Sequence, residues 1–233
     1  MYDITFAASR VVRISRRILW SRTALARART AGVVLGPENF CYAPRSSWGA
    51  VIDVGVGHTP TFAPWIQRET GAFVILCDPT PKHMPRLRSW VKEHPRTSLL
   101  ERAVTPVTGP ITFFESTAQE SGSIDTTHTN RGGAGRTIEV QGISLDDLLD
   151  QTRSHGEVSL VKLDTEGAEF RILGEPSPAL RRTLLRCPQW LVEFHPIPQT
   201  RTHFLAVLRI QQFFAESGFR RFSPNGTDCL FYR

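Results

Sequence analysis

Ala50-Val51-Ile52-Asp53-Val54-Gly55-Val56-Gly57-His58 is the stretch from which the fold of this chain can be read. An apolar run holding one acid and ending in glycine reads as a buried strand feeding a turn. Glycines at a strand end let the backbone pass close to a ligand with no Cβ in the way. A second apolar run, Ala72 to Cys77, is closed by Asp78-Pro79. An acid at the end of a second strand can accept from both hydroxyls of a ribose. Together these features predict an adenosine-containing ligand lying across the carboxyl ends of the first two strands.

Further apolar runs predict strands at Ser98 to Val104, Ile111 to Glu115, Ile138 to Gln141, Val158 to Leu163 and Trp190 to Phe194. Helical spacing falls between several of them: Pro81 to Glu93, Ser144 to Gln151, Ala168 to Leu173 continuing as Pro178 to Arg186, and His203 to Ser217. Strands that alternate with helices and read apolar on both faces predict a doubly wound, mostly parallel sheet. Near the end, Phe219 to Ser223 and Cys229 to Tyr232 flank Pro224-Asn225-Gly226-Thr227, a hairpin signal. The polar stretch from Ser116 to Arg136 predicts a long loop of the kind that is functional or disordered.

The 233 residues, 40% hydrophobic and 21% charged, fit one ordinary domain. Four cysteines at 41, 77, 187 and 229 make no C-x-x-C pair and are too sparse for a disulfide scaffold. A reduced, cytoplasmic protein is the expectation. No apolar run approaches the ~20 residues of a membrane-spanning helix. The net charge of +6 is concentrated in residues 1–40, which hold seven Arg, no Lys and only two acids. The remainder is nearly neutral, so no nucleic-acid partner is expected. The chain therefore divides into an Arg-rich amphipathic arm, 1–45, and a main domain, 46–233. The arm reads as a helix packed on the domain edge with its Arg heads in water. Peripheral contact with an anionic membrane through residues 9–29, and organellar targeting, are the alternatives.

Two ligand classes suit a glycine turn followed by an acid. In dinucleotide folds a third glycine lets a helix N-terminus approach a pyrophosphate, and here that position is Pro60. Asp53 would repel a pyrophosphate yet suit a cation. S-adenosyl-L-methionine carries an ammonium and a sulfonium and no phosphate, so the methyl donor is the expected cofactor. An NAD(P)-dependent oxidoreductase is the nearest alternative, and a non-catalytic, membrane-associated module is another.

The succession Asp53-Val-Gly-Val-Gly, Asp78-Pro-Thr-Pro, Arg102-Ala-Val, Ile143-Ser-Leu-Asp-Asp-Leu-Leu, Leu160-Val-Lys-Leu-Asp-Thr-Glu-Gly-Ala-Glu and Val192-Glu-Phe-His resembles FkbM-type methyltransferases from about Ala50 to Tyr232. The resemblance implies a class I, Rossmann-like methyltransferase fold of seven strands ending in the antiparallel hairpin. It implies S-adenosyl-L-methionine, and O-methylation of a hydroxyl on a sugar or other small molecule. It places donor contacts at Asp53, Gly55, Gly57, His58, Asp78, Pro79 and Ala103. Two departures from the family pattern are His58-Thr59-Pro60 after the turn and Asp78 where Glu is commoner.

Carboxyl ends of parallel strands line the ligand crevice of such a sheet. Asp164 and His195 end two of the strands, beside the expected methyl group. His195 is the first candidate for a general base, because an unperturbed imidazole titrates near neutrality. Asp164 and Glu166 are candidates to orient the acceptor or take its proton. Lys162, two residues before Asp164, shares its side of the strand and could pair with a carboxylate. Asp164, Glu166, Glu193 and His195 together resemble an oxygen-rich metal set, but no tight ligand spacing appears and no metal is expected. Cys77, mid-strand, reads as core. The acceptor, a small molecule or glycan, would be walled by 116–136 and the segment after His195.

Overall fold

Continuous apolar runs become central strands, and the two that open the domain are neighbours in one sheet. The computed structural model describes residues 23–116, 122–124, 135–195 and 201–233. The chain enters through helix α1 (residues 23–31) and the short antiparallel pair β1 (Val34–Leu35) and β2 (Cys41–Tyr42). There follow β3 (Ala50–Val54), α2 (Phe62–Thr70), β4 (Phe73–Cys77), α3 (Met84–Glu93), β5 (Thr97–Leu100) and β6 (Ala103–Val104). Next come β7 (Gly109–Ser116), β8 (Gly122–Ser123), β9 (Gly135–Ile143), α4 (Leu145–Gln151) and β10 (Val158–Leu163). The chain closes with α5 (Glu169–Leu173), α6 (Pro178–Leu185), β11 (Gln189–Glu193), α7 (Arg201–Glu216), β12 (Arg220–Phe222) and β13 (Asp228–Tyr232).

The main sheet has seven strands in the order β12-β13-β11-β10-β3-β4-β5. The run from β11 to β5 is parallel, while β13 is antiparallel to both β11 and β12. The sheet is thus mixed, with the predicted hairpin at its end. Alternation splits each central strand between two layers. Ala50, Ile52 and Val54 join Ile75, Val161, Leu163, Trp190 and Phe231 in a core covered by α4 to α7. Val51 joins Val74, Leu76, Leu160 and Leu191 beneath α2, α3 and the entering segment.

Of the Arg-rich arm, residues 1–22 lie outside the described residues, as do most of the polar stretch and residues 196–200. The remainder of the arm is seated on the sheet. Ala24 and Ala28 of α1 are buried, Arg27 donates to Ser223 O at 3.0 Å, and Tyr232 Oη donates to Ala31 O at 3.1 Å. Phe40, Cys41 and Tyr42 pack in the same core layer as Val51 and Trp65. Among the described residues no helix is long and apolar enough to cross a membrane. All four cysteines are buried and free, and Cys77 lies in the core as expected.

Four features differ from the sequence reading. The strand expected over Ser98 to Val104 is divided into β5, at the edge of the main sheet, and β6, which belongs to a second one. Ile111 to Glu115 and Ile138 to Gln141 are strands, but they pair with each other in a separate four-stranded sheet, β6-β9-β7-β8. The reason is visible in β9: Thr137, Glu139 and Gln141 are exposed while Ile138 and Val140 are half-buried. That period-two pattern belongs to a sheet with one wet face. Helix α2 was not anticipated. Pro64 lies in its first turn, where the missing N–H has no partner to lose. The helix expected to run on from Leu173 breaks instead. Ser177 starts α6 afresh, its side chain accepting from Leu180 N with Pro178 in the first turn.

Candidate active site

The turn after β3 is clamped on both sides. Gly55 N–H donates to Cys77 O at 2.9 Å, and Asp164 N–H donates to Val54 O at 3.1 Å. Gly55 has φ +77°, and a Cβ there would overlap the carbonyl oxygen of Asp164. Its glycine is required by the neighbouring chain. Gly57 (φ +71°) faces open space instead, so it is the glycine that leaves room beside the backbone. Its N–H donates to Asp78 Oδ2 at 3.0 Å. Asp78 Oδ1 accepts from Thr80 N–H at 2.9 Å and lies 3.3 Å from His83 Nδ1. Asp78 therefore ends β4 beside the turn, buried, with both oxygens already holding backbone. His58 is half-buried, 3.4 Å from the Arg86 guanidinium and against the His83 ring. Pro79 is half-buried, whereas Ala103 is core, paired with Gly142 in the second sheet.

Three charged groups meet under the turn. Asp53 and Lys162 lie opposite one another on β3 and β10. Both are buried, at 1% and 5% exposure. Lys162 Nζ donates to Asp164 Oδ2 at 2.9 Å and stands 3.4 Å from Asp53 Oδ1. Burial pushes the Asp53 carboxyl up to about 6; Lys162 opposes this, and Asp164 and Asp78 add to it. Burial acts to lower Lys162, but Asp164 and Asp53 outweigh it and hold the ammonium well above its usual range. Lys162 is a fixed cation.

His195 is ringed by carboxylates. Its Nδ1 lies 3.0 Å from Glu169 Oε1, and its Nε2 lies 3.5 Å from Glu193, 3.6 Å from Asp164 and 3.9 Å from Glu166. Burial lowers the imidazole, yet hydrogen bonds to Glu169 and Glu193 and the charges of Glu169 and Asp164 raise it to about 11. A strand-end histidine titrates near 6.5 only if its neighbours leave it alone, and here the surrounding carboxylates favour the protonated ring, against its use as a freely titrating base. Glu169 is itself fully buried, and its Oε1 also accepts from Thr165 N–H at 2.9 Å. Glu166 sits at φ +52°, left-handed backbone that a non-glycine residue adopts at a cost of about 1–3 kcal/mol.

A cavity of about 310 Å³ opens at this end of the sheet. It is lined by Asp53, Gly55, Lys162, Asp164 and Glu193, by Asn225 and Asp228, and by Glu38, Asn39 and Phe40 of the entering segment. Thr61 Oγ1 donates to Glu38 at 2.9 Å, tying the entering segment to the start of α2. Asp228 stands opposite Glu193 in the β11–β13 register, and burial followed by Glu193 pushes it up to about 6. Five carboxyl groups thus face one ammonium across the cavity.

The strand order with its reversed β13 is that of the class I methyltransferases. The sequence profile of the methyltransferase FkbM domain matches residues 49–221. The chain belongs to the FkbM methyltransferase family. No curated protein matches it in sequence. Among solved structures it is similar to the fibrillarin/Nop5p complex at 12% identity and TM-score 0.47, covering 82% of this chain and 75% of that one. It is similar to monomeric WbdD at 11% and 0.45, covering 93% of this chain and 40% of that one. Fibrillarin of Aeropyrum pernix, with natively bound S-adenosyl-L-methionine, gives 9% and 0.40, over 80% of this chain and 66% of that one. Likeness at this level concerns overall shape only.

In this FkbM domain Asp53, Gly55, Lys162 and Asp164 line the cavity, with Gly57, Glu166 and His195 beside it at the carboxyl ends of β3, β10 and β11. Four participants carried no weight in the sequence reading: Glu169 as the residue that orients His195, Asp228, and Glu38 and Asn39 of the entering segment. Glu193 entered that reading only as a member of the oxygen-rich set with Asp164, Glu166 and His195; it lies two residues before His195 and so on the same side of the chain.

Proposed function

We propose that this chain transfers the methyl group of S-adenosyl-L-methionine to a hydroxyl of a small molecule or sugar. The observation that supports it is the acidic cavity directly beside the glycine turn. The donor suits the residues present. Asp53 Oδ1 is buried and has no hydrogen bond of ordinary length among the described residues, only the Lys162 ammonium at 3.4 Å. A ligand bringing an ammonium and a sulfonium would relieve that excess of negative charge, whereas the pyrophosphate of a dinucleotide would add to it. Asp53 and the Gly57 backbone would hold the amino-acid end, with Asp78 at the ribose. When bound, the donor supplies a methyl group on a positively charged sulfur that departs as a neutral thioether.

The chain's own part is positioning and proton handling. Asp164 and Glu166, both half-buried at the strand end, are placed to accept from an acceptor hydroxyl. Lys162 fixes the carboxylate of Asp164 through Oδ2 and leaves Oδ1 toward His195. The Glu169–His195 pair holds that edge of the crevice rigid.

Isothermal titration tests the cofactor. S-adenosylhomocysteine is expected to bind one per chain and NAD(P) not at all; the reverse result would remove the methyltransferase reading. Incubation with methyl-labelled donor and size-fractionated extract tests the acceptor, with label expected in small metabolites or glycans. Label confined to protein would overturn the acceptor class. For the donor site, Asp78→Ala is expected to weaken S-adenosylhomocysteine by about ten- to a hundredfold, from lost charge-assisted bonds of ~1.5–3 kcal/mol. It would also free the Gly57 and Thr80 N–H groups, lowering Tm by several degrees. An unchanged dissociation constant would take Asp78 out of the site.

A further inference from the structure

We infer that Asp164, Glu193 and His195 form a binding site for one divalent transition-metal ion, with Glu169 fixing the histidine behind it. A ligand oxygen from each carboxylate and a ring nitrogen of His195 lie within 4.8 Å of one another. His195 Nε2 stands 3.6 Å from Asp164 Oδ1 and 3.5 Å from Glu193 Oε1. The first is too long for a hydrogen bond and the second lies at the outer limit of one. They match the roughly 3.0–3.5 Å between neighbouring donor atoms that each stand about 2.1 Å from one ion.

A second feature points the same way. Metal-binding histidines donate their remote ring N–H to a carboxylate, which sets the tautomer and aims the other nitrogen. Glu169 does this here: it is wholly buried, its Oε1 lies 3.0 Å from His195 Nδ1, and its Oε2 has no hydrogen-bond partner among the described residues. A buried carboxylate so poorly satisfied is costly unless positive charge stands nearby. Glu166 Oε2, 3.9 Å from Nε2, adds another negative group at the same point.

One imidazole with two carboxylates suits manganese, iron or zinc better than magnesium or calcium, which favour all-oxygen sets. Asp164 and Glu193 also line the cavity, so open coordination positions would face the space left for the acceptor. On the proposed methyltransferase reading, a metal there would acidify a bound hydroxyl, with His195 Nε2 deprotonated as its ligand.

The test is titration of the metal-stripped full chain with Mn²⁺, followed by electron paramagnetic resonance and calorimetry. S-adenosylhomocysteine is titrated into the same samples. One Mn²⁺ per chain is expected, weakened at least tenfold by Glu193→Gln and by Asp164→Asn. Glu169→Gln should weaken it by about 10–100-fold. Glu193 is half-exposed, so Glu193→Gln decides the matter if the buried-side variants unfold. No Mn²⁺ binding below millimolar, or binding that Glu193→Gln leaves unchanged, overturns the site. Loss of the metal result with S-adenosylhomocysteine still bound would reject this inference alone; metal binding without S-adenosylhomocysteine would reject the methyltransferase reading.

Discussion

Gly55→Ala is expected to destabilise the domain by at least about 4 kcal/mol, with S-adenosylhomocysteine binding lost even where folded chain survives. Two costs combine. Left-handed backbone at φ +77° costs an alanine roughly 1–2 kcal/mol. The larger cost is steric: the added Cβ overlaps the Asp164 carbonyl, a backbone atom held by the neighbouring N–H bond from Asp164 to Val54 O. Neither strand can yield without breaking the β3–β10 ladder at the end that carries Asp53, Lys162 and Asp164. Gly57→Ala provides the contrast. It has similar φ but open space beside it, so it should cost only the backbone penalty. Denaturant midpoints of the two variants decide the point. Equal losses would mean that the close approach at Gly55 is not what demands glycine there.

The second large effect concerns the buried cation. Lys162→Met should cost about 3–5 kcal/mol, because it leaves Asp53 and Asp164 without their shared ammonium. The deficit should depend on pH. Burial already lifts Asp53 to about 6, and Lys162 is the main group opposing that rise. Without the ammonium, the folded-state value rises further above that of the unfolded chain. A carboxyl raised on folding adds stability below its unfolded value and loses it as pH rises through the folded one. The variant should therefore lag most at pH 8 and recover part of its loss by pH 5. Urea denaturation of both proteins at the two pH values measures this. A deficit that is the same at both would show that Asp53 does not carry it.

Much of this fold was legible because its signals are local. Val51 to Val54 and Val74 to Cys77 are buried on both faces, so they read as continuous apolar runs. The Asn225-Gly226 turn announces its hairpin. Signals that depend on partners read less well. Ile138 to Gln141 carries its alternation openly, yet only pairing with Gly109–Ser116 shows that it has left the main sheet. His195 illustrates the limit at the site. Its strand-end position was readable, but its protonation is raised by Glu169, Glu193 and Asp164, which come from α5, β11 and the end of β10.

The sequence by itself determined the central strands, the closing hairpin, the glycine turn, the acid closing β4 and the family, because each is written in neighbouring residues. Only the tertiary structure decided what those residues do to one another. It showed that Gly55 answers to Asp164 rather than to a ligand, and that Asp78 holds the Gly57 and Thr80 amides. It showed that Glu38 and Asn39 reach the cavity, and that Glu169 orients a histidine 26 residues away. The reason is physical: charge and close contact act through distance in space. Parallel strand register brings together groups that chain spacing keeps far apart.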